Sequence, residues 1–156
     1  MSATASAPVI ERRGAPASEA DLQRLEARIG THLPADLRTF LAEGDGARFA
    51  EWVRVCDSHV GALMQVFTAG PTPVVDNTFD HVLTVYDERV PPGFLPFADD
   101  VAGNLIGVYV AGRNDGVHFW DHEMEADEGE PPRTDNLERL ADSFSDFLAM
   151  LVIDDD

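Results

Sequence analysis

The order of two hydrophobic periods constrains this chain most: helical spacing comes first, strand spacing fills the second half, and helical spacing returns at the end. Leu22, Leu25 and Ile29 lie on one helical stripe. They follow Ser18-Glu19-Ala20-Asp21, which has the form of a capping box with Asp in the third helical position, and Gly30 supplies a left-handed stop. Leu33-Pro34 opens a second short helix with the proline in its first turn, where the missing N–H costs nothing. Leu37, Phe40 and Leu41 continue it at helical spacing until Gly44 and Gly46. Phe79, Val82, Leu83 and Tyr86 recur every three or four residues and predict a helix over 78–86. Residues 49–55 and 63–68 fit either two short strands or a strand and a helical turn, and Pro71 and Pro73 interrupt what precedes them.

The clearest strand signals are Phe94 to Phe97, Leu105 to Val110 and Val117 to Trp120. The last two are joined by the turn residues Gly112, Asn114, Asp115 and Gly116, so they predict an antiparallel hairpin. Phe144, Phe147, Leu148, Leu151 and Val152, behind a capping Ser143, predict a closing helix. With no βαβ alternation and no repeat of fixed period, the pattern defines an α+β domain.

A chain of 156 residues has the length of one domain. Residues 1–17, rich in Ala, Ser and Pro, are expected to form a flexible N-terminal segment until Val9 and Ile10 find something to pack on. Residues 18–153 form the domain, and Asp154-Asp155-Asp156 is an acidic tail. Eleven Lys+Arg oppose 29 Asp+Glu, a formal net charge of −18. Such a surface repels nucleic acid and anionic lipid and favours a basic partner, because complementary fields speed association. Every one of the 11 cationic residues is arginine, which excludes Schiff-base and Walker-type lysine chemistry. The single Cys56 permits no internal disulfide. No apolar run approaches the roughly 18 to 20 residues of a membrane span, and no basic start precedes a greasy stretch, so a cytoplasmic location is expected.

Catalytic constellations are scarce. His118 and His122 flank Trp120 and Asp121, and on an extended strand positions 118, 120 and 122 share a face, which is the chain's densest set of potential metal ligands. A third ligand has no evident source, so the bland reading places one imidazole at the hairpin end and the other on its surface. Asp99-Asp100 with Gly103-Asn104 lacks the ligand spacing of an EF-hand and reads as a turn before a strand. Cys56 with Asp57 and His59 shows no feature that would lower the thiol pKa. The serines at 143 and 145 belong to a cap, and Gly44-Asp45-Gly46 carries an acid where a phosphate would need amides. No catalytic residue, metal or cofactor is assigned.

Partner-binding candidates are easier to name. Asp121, Glu123, Glu125, Asp127 and Glu128 cluster around the predicted hairpin end and the Gly- and Pro-containing loop 123–133, and Asp99 and Asp100 join them if the strand ends are adjacent. The opposing reading is a solvated, mobile loop. Phe49 and Trp52 are the aromatic anchor candidates.

The landmarks also follow a familiar order. Leu25-Glu26, Ile29-Gly30, Leu33-Pro34, Phe40-Leu41 and Gly46 resemble the opening of the SMI1/KNR4 family, or SUKH superfamily. Leu95-Pro96-Phe97-Ala98-Asp99-Asp100 before Gly103-Asn104 is similar to that family's strand entry. Gly116-Val117 through Trp120-Asp121-His122-Glu123 resembles its hairpin end, and Ser143-Phe144 to Phe147-Leu148 its closing helix. The resemblance spans about Ser18 to Leu151; Arg48 to Pro73 matches no quoted pattern, and Gly-Asp-Gly at 44–46 replaces a frequent Asn-Gly-Gly. It implies helices packed around a central, mainly antiparallel sheet. For bacterial members it implies a non-enzymatic immunity protein that binds and neutralises a cognate toxin, often a basic nuclease. The alternatives are a general protein-interaction module without a toxin partner and a metal-dependent enzyme using the His118/His122 region.

Overall fold

The chain folds around two four-stranded antiparallel sheets in a computed structural model that describes residues 10–12, 14–56, 58, 60–70, 77–110 and 116–153. Asp57, His59, Pro71, Pro73, the turn residues Gly112, Asn114 and Asp115, and the 154–156 tail lie outside the described residues. The helical opening matches its sequence signals. Helix α1 (Glu19–Ile29) begins with both halves of the Ser18/Asp21 capping box and ends at Gly30, whose φ of 79° is the left-handed cap. Helix α2 (Ala35–Glu43) starts one residue later than expected, so Pro34 stands at the N-cap rather than inside the first turn.

The first sheet is organised by one long strand, β2 (Ala47–Val55). Strand β1 (Ile10–Arg12) pairs with its beginning, β3 (Leu63–Val66) lies along its other side, and a closing strand, β8 (Leu151–Ile153), pairs with its end. The ambiguous 49–68 region is therefore two strands. Strand β1 falls within the 1–17 segment read as an N-terminal arm, and its Ile10 is paired opposite Phe49.

The closing helix is a correction. Helix α4 (Phe144–Ala149) stops after six residues, and Leu151 and Val152, expected on its stripe, belong to β8 instead. The β-branched Val152-Ile153 pair suits a strand, and β2 offers it a free stretch at 53–55.

The second sheet runs β4 (Phe94–Asp99), β5 (Leu105–Tyr109), β6 (Val117–Trp120) and β7 (Leu137–Ala141) in simple sequential order. Strand β7 was not expected: Leu-Glu-Arg-Leu-Ala has no strand alternation. It is an edge strand with Glu138 and Arg139 exposed, which discourages pairing with another chain. Sheets one and two meet where Phe67 donates to Phe97 O at 2.8 Å and Leu63 bridges Asp100.

Alternation along β4, β5 and β6 sends side chains to two cores. Leu95, Phe97, Ile106, Val108, Val117 and Phe119 join the main core with the helices and the first sheet, and Phe97 sets its ring edge-on against Phe144 and Phe147 at 5.0 and 5.3 Å. Phe94, Leu105, Tyr109 and Trp120 form a second cluster on the opposite face. Burial on both faces is why these strands read as continuous apolar runs. Helix α3 (Phe79–Val85), capped by the Thr78 hydroxyl, leads into the segment that covers this second face: Tyr86 and Val90 pack on it, and the Tyr86 ring meets Trp120 edge-on at 5.7 Å.

Candidate functional site

The cover over the second cluster is incomplete, and beside it lies a groove of about 1150 Å³. One wall is the turn after α3, where the N–H groups of Arg89 and Val90 both donate to Tyr86 O. Glu88 in that turn has φ 65°, a left-handed conformation that costs a residue with a side chain about 1 kcal/mol or more. The other wall is the 3-10 turn His122–Met124 and the chain running on to Pro131 and Pro132. Tyr86, Val90, Pro91 and Phe94 give the groove an apolar floor. Its rim carries seven carboxylates, those of Asp87, Glu88, Glu123, Glu125, Asp127, Glu128 and Glu130, against one arginine, Arg89.

Arg89 is already engaged. Its Nε and one terminal nitrogen donate to the two Glu125 oxygens at 3.0 and 2.8 Å, and its guanidinium carbon sits 4.5 Å from the centre of the Tyr86 ring. The Glu125 hydrogen bonds raise the Arg89 pKa, and burial raises that of Tyr86. The expected mobile loop is thus tied to the α3–β4 connection at Glu125 and opened by an ordered turn.

Four sequence candidates, Glu123, Glu125, Asp127 and Glu128, come together here. The others do not. Asp121 is the N-cap of the 3-10 turn, accepting from the Glu123 N–H at 3.0 Å. Asp100 is buried and holds its own loop together: its carboxylate accepts from the N–H groups of Gly61, Ala102 and Asn104. Asp99 is half-buried at the end of β4, where burial raises its pKa, with the neighbouring Asp100 charge adding to the effect. Phe49 is a second correction. The inward positions of β2 include 47, 49, 53 and 55, so Phe49 is core, only 3% exposed, and is no anchor for a partner. Trp52 is 45% exposed on the same strand but does not line the groove. Sequence reading missed Asp87, Glu88 and Glu130 and the whole floor, because Asp87-Glu88-Arg89 lay just beyond the helix predicted over 78–86 and carried no pattern of its own.

The histidine pair is separated by the end of β6. His118 shares the Trp120 face, as the alternation required, and is buried with its ring edge-on to Tyr109 at 5.2 Å. His122 lies beyond the strand in the 3-10 turn, its Nε2 2.8 Å from Ala102 O and its backbone N–H donating to the Asn104 side chain. No group of three or more His, Cys, Asp or Glu able to hold a metal forms among the described residues. Burial lowers the His118 pKa below its ordinary 6.5, Arg139 pushing the same way and the Gly116 carbonyl opposing. The folded state therefore binds fewer protons than the unfolded chain as pH falls below 6.5, and His118 withdraws stability there. Thermal melts at pH 7.5 and 5.5, both pH values being about one unit from the ordinary value, should show wild type losing more stability on acidification than His118→Gln. Equal losses would refute the buried neutral imidazole.

Fold and site together define a small α+β domain with two joined antiparallel sheets and an acid-rimmed, apolar-floored groove on one face. The chain belongs to the SMI1 / KNR4 family (SUKH-1), whose family model matches residues 16–150. It is 24% identical over 147 aligned residues to the SPbeta prophage-derived uncharacterized protein YokK of Bacillus subtilis (strain 168), an alignment covering 84% of this chain and 72% of that protein. No helix among the described residues is long and apolar enough to cross a membrane.

Proposed function

We propose that this chain is a non-enzymatic immunity protein that binds and neutralises a cognate bacterial toxin in the cytoplasm, the toxin being a basic domain such as a nuclease. The observation that carries the reading is the groove: seven carboxylates around an apolar floor, on a chain of net charge −18. A nuclease must hold a basic cleft for its anionic substrate, and an acidic domain that occupies or covers that cleft inactivates it without chemistry. Membership of the SUKH family supports the same reading.

Neutralisation needs no catalytic residues, only fast and specific association. Rim carboxylates supply the long-range attraction, and the floor gives an anchor side chain apolar area to cover, at roughly 25 cal/mol per Å² removed from water. Co-expression with a candidate toxin domain, taken from genes next to this one, tests the proposal. Growth should be restored, and a complex should form that weakens as salt rises. Continued killing together with no complex at low salt would refute it.

A further inference from the structure

One arginine of the chain itself sits among the carboxylates of the groove. Arg89 is the one arginine among the lining residues, and its guanidinium carbon sits 4.5 Å from the centre of the Tyr86 ring while both Glu125 oxygens accept from its N–H groups. Tyr86 is braced from beneath by Trp120, so the ring is a fixed platform. The seat has a planar aromatic face and a carboxylate set for two parallel N–H donors, geometry that suits a guanidinium and not a compact ammonium. Its occupant is only partly enclosed: the Arg89 side chain is 41% exposed and that of Glu125 23%. Among the described residues that line the groove, no second arginine accompanies the remaining carboxylates.

We infer that the groove docks a basic segment of the partner protein, and that one partner arginine takes the Tyr86–Glu125 seat in place of Arg89, which acts as an internal placeholder. This rests on the immunity reading only for the partner's identity; the seat is a property of this chain. Displacement exchanges one guanidinium for another, so the seat itself contributes selectivity for arginine over lysine. Affinity comes from the neighbouring rim carboxylates and from an apolar side chain of the partner laid on the half-buried Val90. Arg89, once expelled, points a positive charge toward solvent at the rim, and its presence weakens binding in the resting protein.

Labelled hexa-arginine and hexa-lysine peptides, titrated into the intact protein at low salt, test this without any toxin. Hexa-arginine should bind about fivefold tighter than hexa-lysine, the scale of a stacked, bidentate contact at a partly exposed site. Arg89→Ala should raise hexa-arginine affinity by about the same factor, because the resident competitor is gone. Tyr86→Leu and Glu125→Gln should each erase the arginine preference, and Tyr86→Phe should keep it, which separates loss of the seat from loss of fold. Equal affinity for the two peptides would overturn the proposal, as would weaker hexa-arginine binding to Arg89→Ala, since Arg89 would then be a clasp that shapes the loop. A failed co-expression rescue with the arginine preference intact would remove the immunity reading alone; a rescued culture with no preference would remove the seat alone.

Discussion

Replacing Trp120 with alanine is expected to cost about 3 to 5 kcal/mol of folding stability, enough to unfold much of the population of a marginally stable domain at physiological temperature. The indole is fully buried, with Phe94, Leu105 and Tyr109 beside it on the sheet and Tyr86 and Val90 above it. These neighbours come from three different stretches of chain, each held by its own backbone bonds, so they cannot collapse into the space left by alanine, and the cavity adds to the lost transfer energy. One effect works the other way. The indole N–H meets no acceptor among the described residues, and deleting a buried unsatisfied donor returns about 1 to 3 kcal/mol. Trp120→Phe, which keeps a ring and removes the donor, should therefore cost far less than Trp120→Ala. Denaturant melts of both variants measure the difference. A loss below about 1 kcal/mol for Trp120→Ala would mean that the second core, and with it the groove floor, is wrongly placed.

The parts legible in the sequence were those determined by local chemistry. Ser18 and Asp21, Thr78 and Ser143 are caps whose partners lie three residues away, and each starts a helix where its spacing said it should. Strands β4, β5 and β6 were legible because burial on both faces leaves unbroken apolar runs. What failed depended on distant chain. Leu151 and Val152 carry helical spacing from Phe144, yet residues 53–55 of β2, about a hundred positions earlier, offer them pairing partners. Strand β7 is polar on its exposed side and exists because β6 needs a neighbour. Phe49 and Trp52 are both aromatic on one strand, and only the pleat sends the first inward.

The site divides in the same way. Glu123, Glu125, Asp127 and Glu128 were legible as a run of acids, but a run carries no depth. The turn at 86–91 supplies the floor and the opposing rim from more than thirty residues earlier in the chain. Asp100 is close to that run in chemistry only, having been drawn into loop hydrogen bonding, whereas Asp99 at the end of β4 acts electrostatically on Tyr86 as Glu125 does.

The larger functional effect is expected from the rim. Changing Glu123, Glu125 and Glu128 to Gln and Asp127 to Asn removes four of the seven carboxylates lining the groove and leaves the apolar floor in place. Glu123, Asp127 and Glu128 are exposed and the Glu125–Arg89 pair is partly exposed, so thermal stability should change little. Neutralising Glu125 leaves the charge of Arg89 without its bidentate partner, so the rim loses a negative charge while the positive one stays. Steering depends on the summed field, and fields of this kind change association rates by 10-fold to about 1000-fold.

The most direct test of the account is the association rate of the cognate toxin domain with wild type and with this fourfold variant, followed by stopped flow across salt from about 50 to 500 mM. The account predicts that the variant associates at least about tenfold more slowly at the lowest salt, that the two rates converge as salt rises, and that both proteins melt alike. Identical rates and identical salt dependence would contradict it and take the partner away from the groove.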